Sequence, residues 1–242
     1  MAASQAAGSL SLGDRPGTGG ALPSSMSRSA HSFATRVELE VSSRYLLYLP
    51  ESHTERDDWP LVVFLHGSGE RGEDLHLVRK HGLPRLIDEG LRIPAVVLAP
   101  QCPNGQLWTQ QMMTLGVLID AVAATQGVDR TRVVATGLSL GGAGCYELVG
   151  LYPDRFAAVA PICGPWTWLF VTDETARIPT WVFHGDADEV VPIEESERLV
   201  EEIRQRGGDP RFTVYPGVGH NSWDAAYAEP ELLDWLVGQR KK

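Results

Sequence analysis

Six mostly apolar runs, spaced by helix-compatible stretches, constrain this chain more than any other feature. The runs are Leu61–Leu65, Ala95–Ala99, Val133–Ala135, Phe156–Ala160, Thr180–Phe183 and Arg211–Tyr215. Each is too short for a stable helix, and a strand that is apolar at consecutive positions must be covered on both faces. Between them the period changes. In 110–126, Leu115, Leu118, Ile119 and Val122 recur at helical spacing, and Gly127 follows as a stop. In 194–206, Leu199, Val200 and Ile203 make one apolar face, with Glu194/Arg198 and Glu202/Arg206 as i,i+4 pairs and Gly207-Gly208 beyond. A last helix is expected over about 230–239. Strands alternating with helices predict an α/β fold. It would have a mostly parallel sheet of about eight strands with helices on both faces. The first two strands, Arg36–Val41 and Arg44–Leu49, read as a hairpin around Ser42-Ser43.

At 242 residues the chain is long enough for one domain whose core needs neither disulfide nor metal. The first thirty residues stand apart: 20 of them are Ala, Gly, Ser or Pro. Such a stretch buries too little to offset its ordering entropy. The expected organisation is therefore a flexible low-complexity tail over 1–35 and a single folded domain over 36–242. The tail has neither the apolar stretch of a signal peptide nor the arginine density of a transit peptide, which points to the cytoplasm. The formal net charge of −10 and the absence of a basic stripe argue against nucleic acid as a partner. No apolar run approaches the ~18–20 residues of a membrane span. Cys102, Cys145 and Cys163 are odd in number and form no CxxC pair, so buried free thiols are expected rather than a disulfide framework or zinc site.

The chemistry centres on Gly137-Leu138-Ser139-Leu140-Gly141, a G-x-S-x-G between an apolar run and a helix-compatible segment, Gly142–Leu151. That is the strand–turn–helix context of a nucleophile elbow, in which the serine Oγ projects from a tight turn. A serine hydroxyl needs a base, and the base an orienting carboxylate. In this setting the chain order is serine, acid, histidine. His220 is the one histidine of seven that follows every candidate acid. His66 and His184 end strands and read as structural; His76 and His81 read as solvated. For the acid, Asp186, Asp188 and Glu189 are all placed just beyond a strand. Asp188 is preferred, because Val190-Val191-Pro192 after it would pack the loop down over the carboxylate. Two backbone N–H groups are expected to face the oxyanion. One is that of Leu140; the other comes from the His66–Glu70 loop, with Ser68 preferred.

The same loop contains a rival, Gly67-Ser-Gly69-Glu-Arg-Gly72, which matches a dinucleotide fingerprint with Asp88 and Glu89 about twenty residues on. The order argues against it, since those acids precede the next strand instead of ending it. No HExxH exists and the His-Gly pairs lack ligand spacing, so no metal and no cofactor is expected.

These residues resemble the α/β-hydrolase superfamily. Within it they resemble the small carboxylesterases labelled predicted peptidases, relatives of feruloyl esterases and dienelactone hydrolases. The resemblance runs from about Arg44 to Gln239. It rests on Tyr45–Pro50, Phe64–Gly72, Ala99–Pro103 with Trp108, Gly137–Gly142, Ala160–Gly164, His184–Asp188 with Val191-Pro192, and Gly219–Trp223. It implies a triad of Ser139, Asp188 and His220 with oxyanion donors at Ser68 and Leu140, on a sheet without a large lid. The expected activity is hydrolysis of a small-molecule carboxylic ester through an acyl-enzyme. Peptidase, amidase or thioesterase action by the same triad is the alternative, and a non-catalytic binding protein on the same fold a more distant one. Dienelactone hydrolases carry a cysteine nucleophile where this elbow holds serine. A second departure is the aromatic stretch Gly164–Phe170. Its Trp166, Trp168 and Phe170, with Trp108 and Trp223 from other loops, are expected to wall an apolar substrate cleft.

Overall fold

The computed structural model describes Ala30, residues 32–35, Glu38 and residues 40–241. Most of the expected tail over 1–35 thus lies outside the described residues. Residues 40–242 form one compact unit. In chain order its elements are β1 (Tyr45–Tyr48), β2 (Trp59–Leu65), α1 (Gly82–Asp88), β3 (Val96–Pro100), α2 (Met112–Thr125), β4 (Val128–Leu138) and α3 (Leu140–Leu151). They continue with β5 (Ala158–Ile162), β6 (Trp181–Gly185), α4 (Glu194–Gln205), β7 (Arg211–Tyr215), α5 (Trp223–Ala228) and α6 (Pro230–Gly238).

The strands make one seven-stranded sheet in the order β1-β3-β2-β4-β5-β6-β7. Every pairing is parallel except that of the edge strand β1 with β3. The expected hairpin is the one difference. Arg36, Val37 and Leu39 lie outside the described residues, and Glu38, Glu40 and Val41 carry no strand. Instead β1 pairs with β3, Tyr45 opposite Pro100 and Tyr48 opposite Val97. Ser-Ser has no preference for the left-handed turn that a two-residue hairpin needs, so nothing local closes one.

Strand alternation sorts the core into two layers. Leu61, Val63 and Leu65 of β2 face one side, with Val96, Leu98, Val133 and Ala135. There they meet Leu115, Ile119 and Val122 of α2, Tyr146 and Leu148 of α3, and Leu199 and Ile203 of α4. Val62 and Phe64 face the other side, with Val97, Ala99 and Val134, against Leu83 of α1, Tyr227 of α5 and Leu232 and Leu236 of α6. All seven residues of β2 are buried, which explains its unbroken apolar run. The helices also stop where the composition says. Gly127 and Gly207 follow α2 and α4 with φ of 57° and 80°, the left-handed region that favours glycine.

Candidate active site

The turn between β4 and α3 holds Ser139 at φ 53°, ψ −120°, a conformation that L residues adopt only under constraint. The constraint comes from its neighbours. Ser139 N–H donates to the Ile162 carbonyl at the end of β5, 2.9 Å away, and its own carbonyl accepts Ala143 N–H at the start of α3. A Cβ on Gly137 would run into the Gly141 carbonyl, and one on Gly141 into the Leu65 carbonyl. The elbow therefore needs glycine on both sides because backbone passes directly over backbone there.

Ser139 Oγ lies 2.8 Å from His220 Nε2. His220 sits on the loop after β7, and its Nδ1 lies 2.7 Å from Asp188 Oδ2. Asp188 follows β6 and accepts two more hydrogen bonds at Oδ1, from Val190 N–H and Val191 N–H, each 2.9 Å. Burial opposes ionisation of this carboxyl. The hydrogen bonds from His220, Val191 and Val190 outweigh it and hold the carboxyl below the usual carboxylate range. An ionised Asp188 can only accept, so His220 carries a proton on Nδ1 and its Nε2 is free to accept from the serine hydroxyl. The three side chains, separated by 81 and 32 positions along the chain, are therefore one hydrogen-bonded series.

The other acids stand apart from it. Asp186 Oδ1 accepts Gly217 N–H at 2.6 Å and so ties the histidine loop to the acid loop. Glu189 is exposed. Gly185 lets the two loops touch, since a Cβ there would meet the Val218 carbonyl. His184 is structural, as expected, yet closer to the chemistry than its spacing shows. Its Nε2 lies 2.9 Å from the Val191 carbonyl and 3.2 Å from Asp188 Oδ2, and its Nδ1 lies 2.7 Å from Ser196 Oγ.

Ser68 opens a short 3-10 turn, Ser68–Glu70, after Gly67. Leu140 is the first residue of α3, where backbone N–H groups have no partner within the helix. Gly141 lies against the Leu65 and His66 carbonyls, which makes the two segments neighbours. His66 braces this loop. Its Nδ1 lies 2.6 Å from the Gly67 carbonyl, its Nε2 accepts Cys102 N–H at 3.0 Å, and its carbonyl accepts Trp108 Nε1–H at 3.0 Å.

Burial pushes the His66 pKa down to about 4. An unfolded histidine titrates near ~6.5, so between those values unfolding takes up a proton. The stability from burying neutral His66 is complete above that unfolded value and is lost as pH falls toward 4, up to ~3 kcal/mol. Urea unfolding at pH ~7.5 and ~4.5 should show this loss, and His66→Asn should reduce it. Equal losses in both proteins would remove His66 as its source.

The expected aromatic wall is only partly assembled. Trp223 meets the imidazole edge to face, with ring centroids 5.3 Å apart. Trp108 is 1% exposed, packed against His66 and under Gly144, and offers no surface to a cleft. Trp168 and Phe170 pack against the α2–α3–α4 side of the core. Trp166 is 65% exposed, and both its N–H and the Trp168 indole N–H donate to Glu195 Oε2. Phe170 meets Gly150 near the end of α3, whereas Gly164 meets Gly142 near its start. The 164–170 segment therefore runs along α3, where Phe170 covers the helix end while Trp166 stays exposed.

Among the described residues, one group of metal-ligand side chains comes together: Cys163, Asp188 and His220, with ligand atoms within 4.8 Å of one another. Burial pushes the Cys163 thiol up to about 12, and the acid and imidazole are bonded to each other, so an ion would have to displace both a proton and that bond. All three cysteines are free and buried. No helix among the described residues is long and apolar enough to cross a membrane. A cavity of about 620 Å³ lined by Tyr48, Trp59, Leu91, Ile93 and Val97 contains none of the Ser139, Asp188 or His220 side chains.

Serine, acid and histidine in that order, on loops at one end of a mostly parallel sheet, are the arrangement of the α/β-hydrolases, and the fold here is theirs. Comparison with known proteins narrows the class. Residues 105–229 match the dienelactone hydrolase family, and the chain belongs to it. An acyl-protein thioesterase 1 of Gibberella zeae is 32% identical over 118 residues, 45% of this chain and 46% of that protein. The chain thus spans about half the length of that relative. An uncharacterized protein of Mycobacterium tuberculosis is 30% identical over 221 residues, 78% of this chain and 70% of its own. Among solved structures, a thermostable esterase is similar with a TM-score of 0.70 and 33% identity, over 81% of this chain and 59% of that one.

Proposed function

We propose that this protein is a serine carboxylesterase in which Ser139, His220 and Asp188 act together. Ser139 Oγ attacks the ester carbonyl carbon while its proton passes to His220 Nε2. The alcohol leaves with that proton, and water then hydrolyses the acyl-serine by the same steps in reverse. Asp188 orients the imidazole and stabilises its charged form. The Leu140 and Ser68 N–H groups stabilise the oxyanion. The observation that carries the reading is the unbroken series from Ser139 Oγ through His220 to Asp188, at 2.8 Å and 2.7 Å. The esterase and thioesterase relatives support it.

Thioester cleavage is the second reading, favoured by the fungal acyl-protein thioesterase among the relatives. A fluorophosphonate probe should label Ser139, and a panel of matched esters, thioesters and amides should show esters turned over fastest. Labelling at another residue, or none, would end the serine reading; faster thioester turnover would select the second. Trp166 lies beyond Gly164, which abuts the start of α3, and is exposed there. We assign it to contact with the acyl chain. Trp166→Ala should change the chain-length profile across a series of 4-nitrophenyl esters, and an unchanged profile would remove it from the site.

A further inference from the structure

Beside the serine, among the described residues, the Glu70 carboxylate and the Trp223 indole N–H have no hydrogen-bond partner. Glu70 ends the Ser68–Glu70 turn, and its carboxylate folds back over Gly67, 3.1 Å from where a Cβ on that glycine would stand. The same Cβ would touch the side chain of Leu138, the residue before Ser139. The Glu70 side chain is 7% exposed, and no N–H or O–H of the described residues donates to it. His81 Nε2 approaches its Oε1 to 3.9 Å, which is beyond hydrogen-bond distance. His81 in turn packs against the Trp223 ring, with centroids 5.6 Å apart. The Trp223 indole N–H is buried and has no acceptor among the described residues. One imidazole thus lies beside an acceptor and a donor that no hydrogen bond among the described residues satisfies. Glu70 belongs to the Ser68–Glu70 turn, and Trp223 also touches His220.

Buried polar groups are normally hydrogen-bonded, and a native exception points to a partner outside the chain. The chemistry of that partner follows from the pair. A carboxylate accepts, and an indole N–H only donates. A carbonyl would serve Trp223 alone and an ammonium Glu70 alone, whereas a hydroxyl both donates and accepts. We propose that Glu70 and Trp223 form a subsite for a hydroxyl group carried by the ester substrate. The proposal rests on the serine esterase reading above. Selectivity is its consequence: a site built to hydrogen-bond a hydroxyl discriminates against the analogue that lacks it, because its own polar groups are then left unpaired.

The test compares kcat/KM within matched pairs on the full chain. One pair is 4-nitrophenyl 3-hydroxybutyrate and 4-nitrophenyl butyrate, which probes the acyl side. The other is glycerol monobutyrate and propyl butyrate, which probes the alcohol side. In the wild type at least one pair should favour the hydroxylated partner by about 10-fold or more. That ratio should fall toward unity in Glu70→Leu and in Trp223→Phe, which removes the N–H and keeps an aromatic ring. A ratio taken within each variant cancels any general loss of activity. If Glu70→Leu does not fold, Trp223→Phe decides. No preference in the wild type, or a preference unchanged in the folded variants, overturns the subsite. Fluorophosphonate labelling of the wild type separates the two claims. Labelled Ser139 without a hydroxyl preference sinks the subsite alone, while absent labelling sinks the esterase reading beneath it.

Discussion

Ser139→Ala should lower kcat for ester hydrolysis by about 10⁵-fold or more and abolish fluorophosphonate labelling, with little change in thermal stability. The size follows from chemistry. Among the described residues no other hydroxyl or thiol is bonded to His220 Nε2, so the variant has no nucleophile for the base to activate. Cys163, the nearest thiol, has its Sγ turned to the His220 carbonyl at 3.4 Å, and burial holds it protonated. The small effect on stability follows from the turn. The Ser139 side chain makes no capping hydrogen bond to α3, and the backbone bonds to Ile162 and Ala143 survive the substitution. A variant that kept one hundredth of the wild-type rate would place the nucleophile elsewhere.

Asp188→Asn should lower kcat by about 10⁴-fold while the protein stays folded. Val190 N–H and Val191 N–H both donate to Oδ1, so the amide oxygen takes that position and the loop is kept. The amide NH₂ then falls where Oδ2 stood, facing His220 Nδ1. A donor there forces Nδ1 to accept, which moves the imidazole proton to Nε2. The Nε2 that should accept from Ser139 then donates to it instead, and general-base catalysis is lost. The same NH₂ also faces His184 Nε2, which lies 3.2 Å from Oδ2. Steady-state kinetics with a thermal melt on the same sample would check this. A folded variant within about 10-fold of the wild type would show that the carboxylate does not set the tautomer.

Much of this arrangement was legible in the residues. The elbow could be found because its requirements are local: glycine where backbone crosses backbone, an apolar strand before and a helix after. Asp188 is singled out by the apolar Val190-Val191-Pro192 beyond it, whereas the Val190 and Val191 N–H groups that hold its Oδ1 are visible only in the structure. The aromatic residues were not legible in this way. Trp108 and Trp223 look alike in sequence, each in a loop after a strand. One closes the core under Gly144 and the other stands against the imidazole. His81 reads as solvated and its side chain is indeed 41% exposed, but its ring partner, Trp223, lies 142 positions later and nothing local announces it.

What the sequence determined by itself is the alternation of strand and helix, the covering of the sheet on both faces, and the residue types able to perform acyl transfer. Periodicity, turn glycines and ionisable groups within a few positions encode these, and they act over one or two turns of chain. Tertiary structure alone decided which side chains face one another across loops: Ser139 with His220, Trp223 with His81, and Glu70 with no hydrogen-bond donor among the described residues. Those relations depend on the order of strands in the sheet and on how closely glycines let loops approach. Both are settled by packing the whole core and not by any one segment.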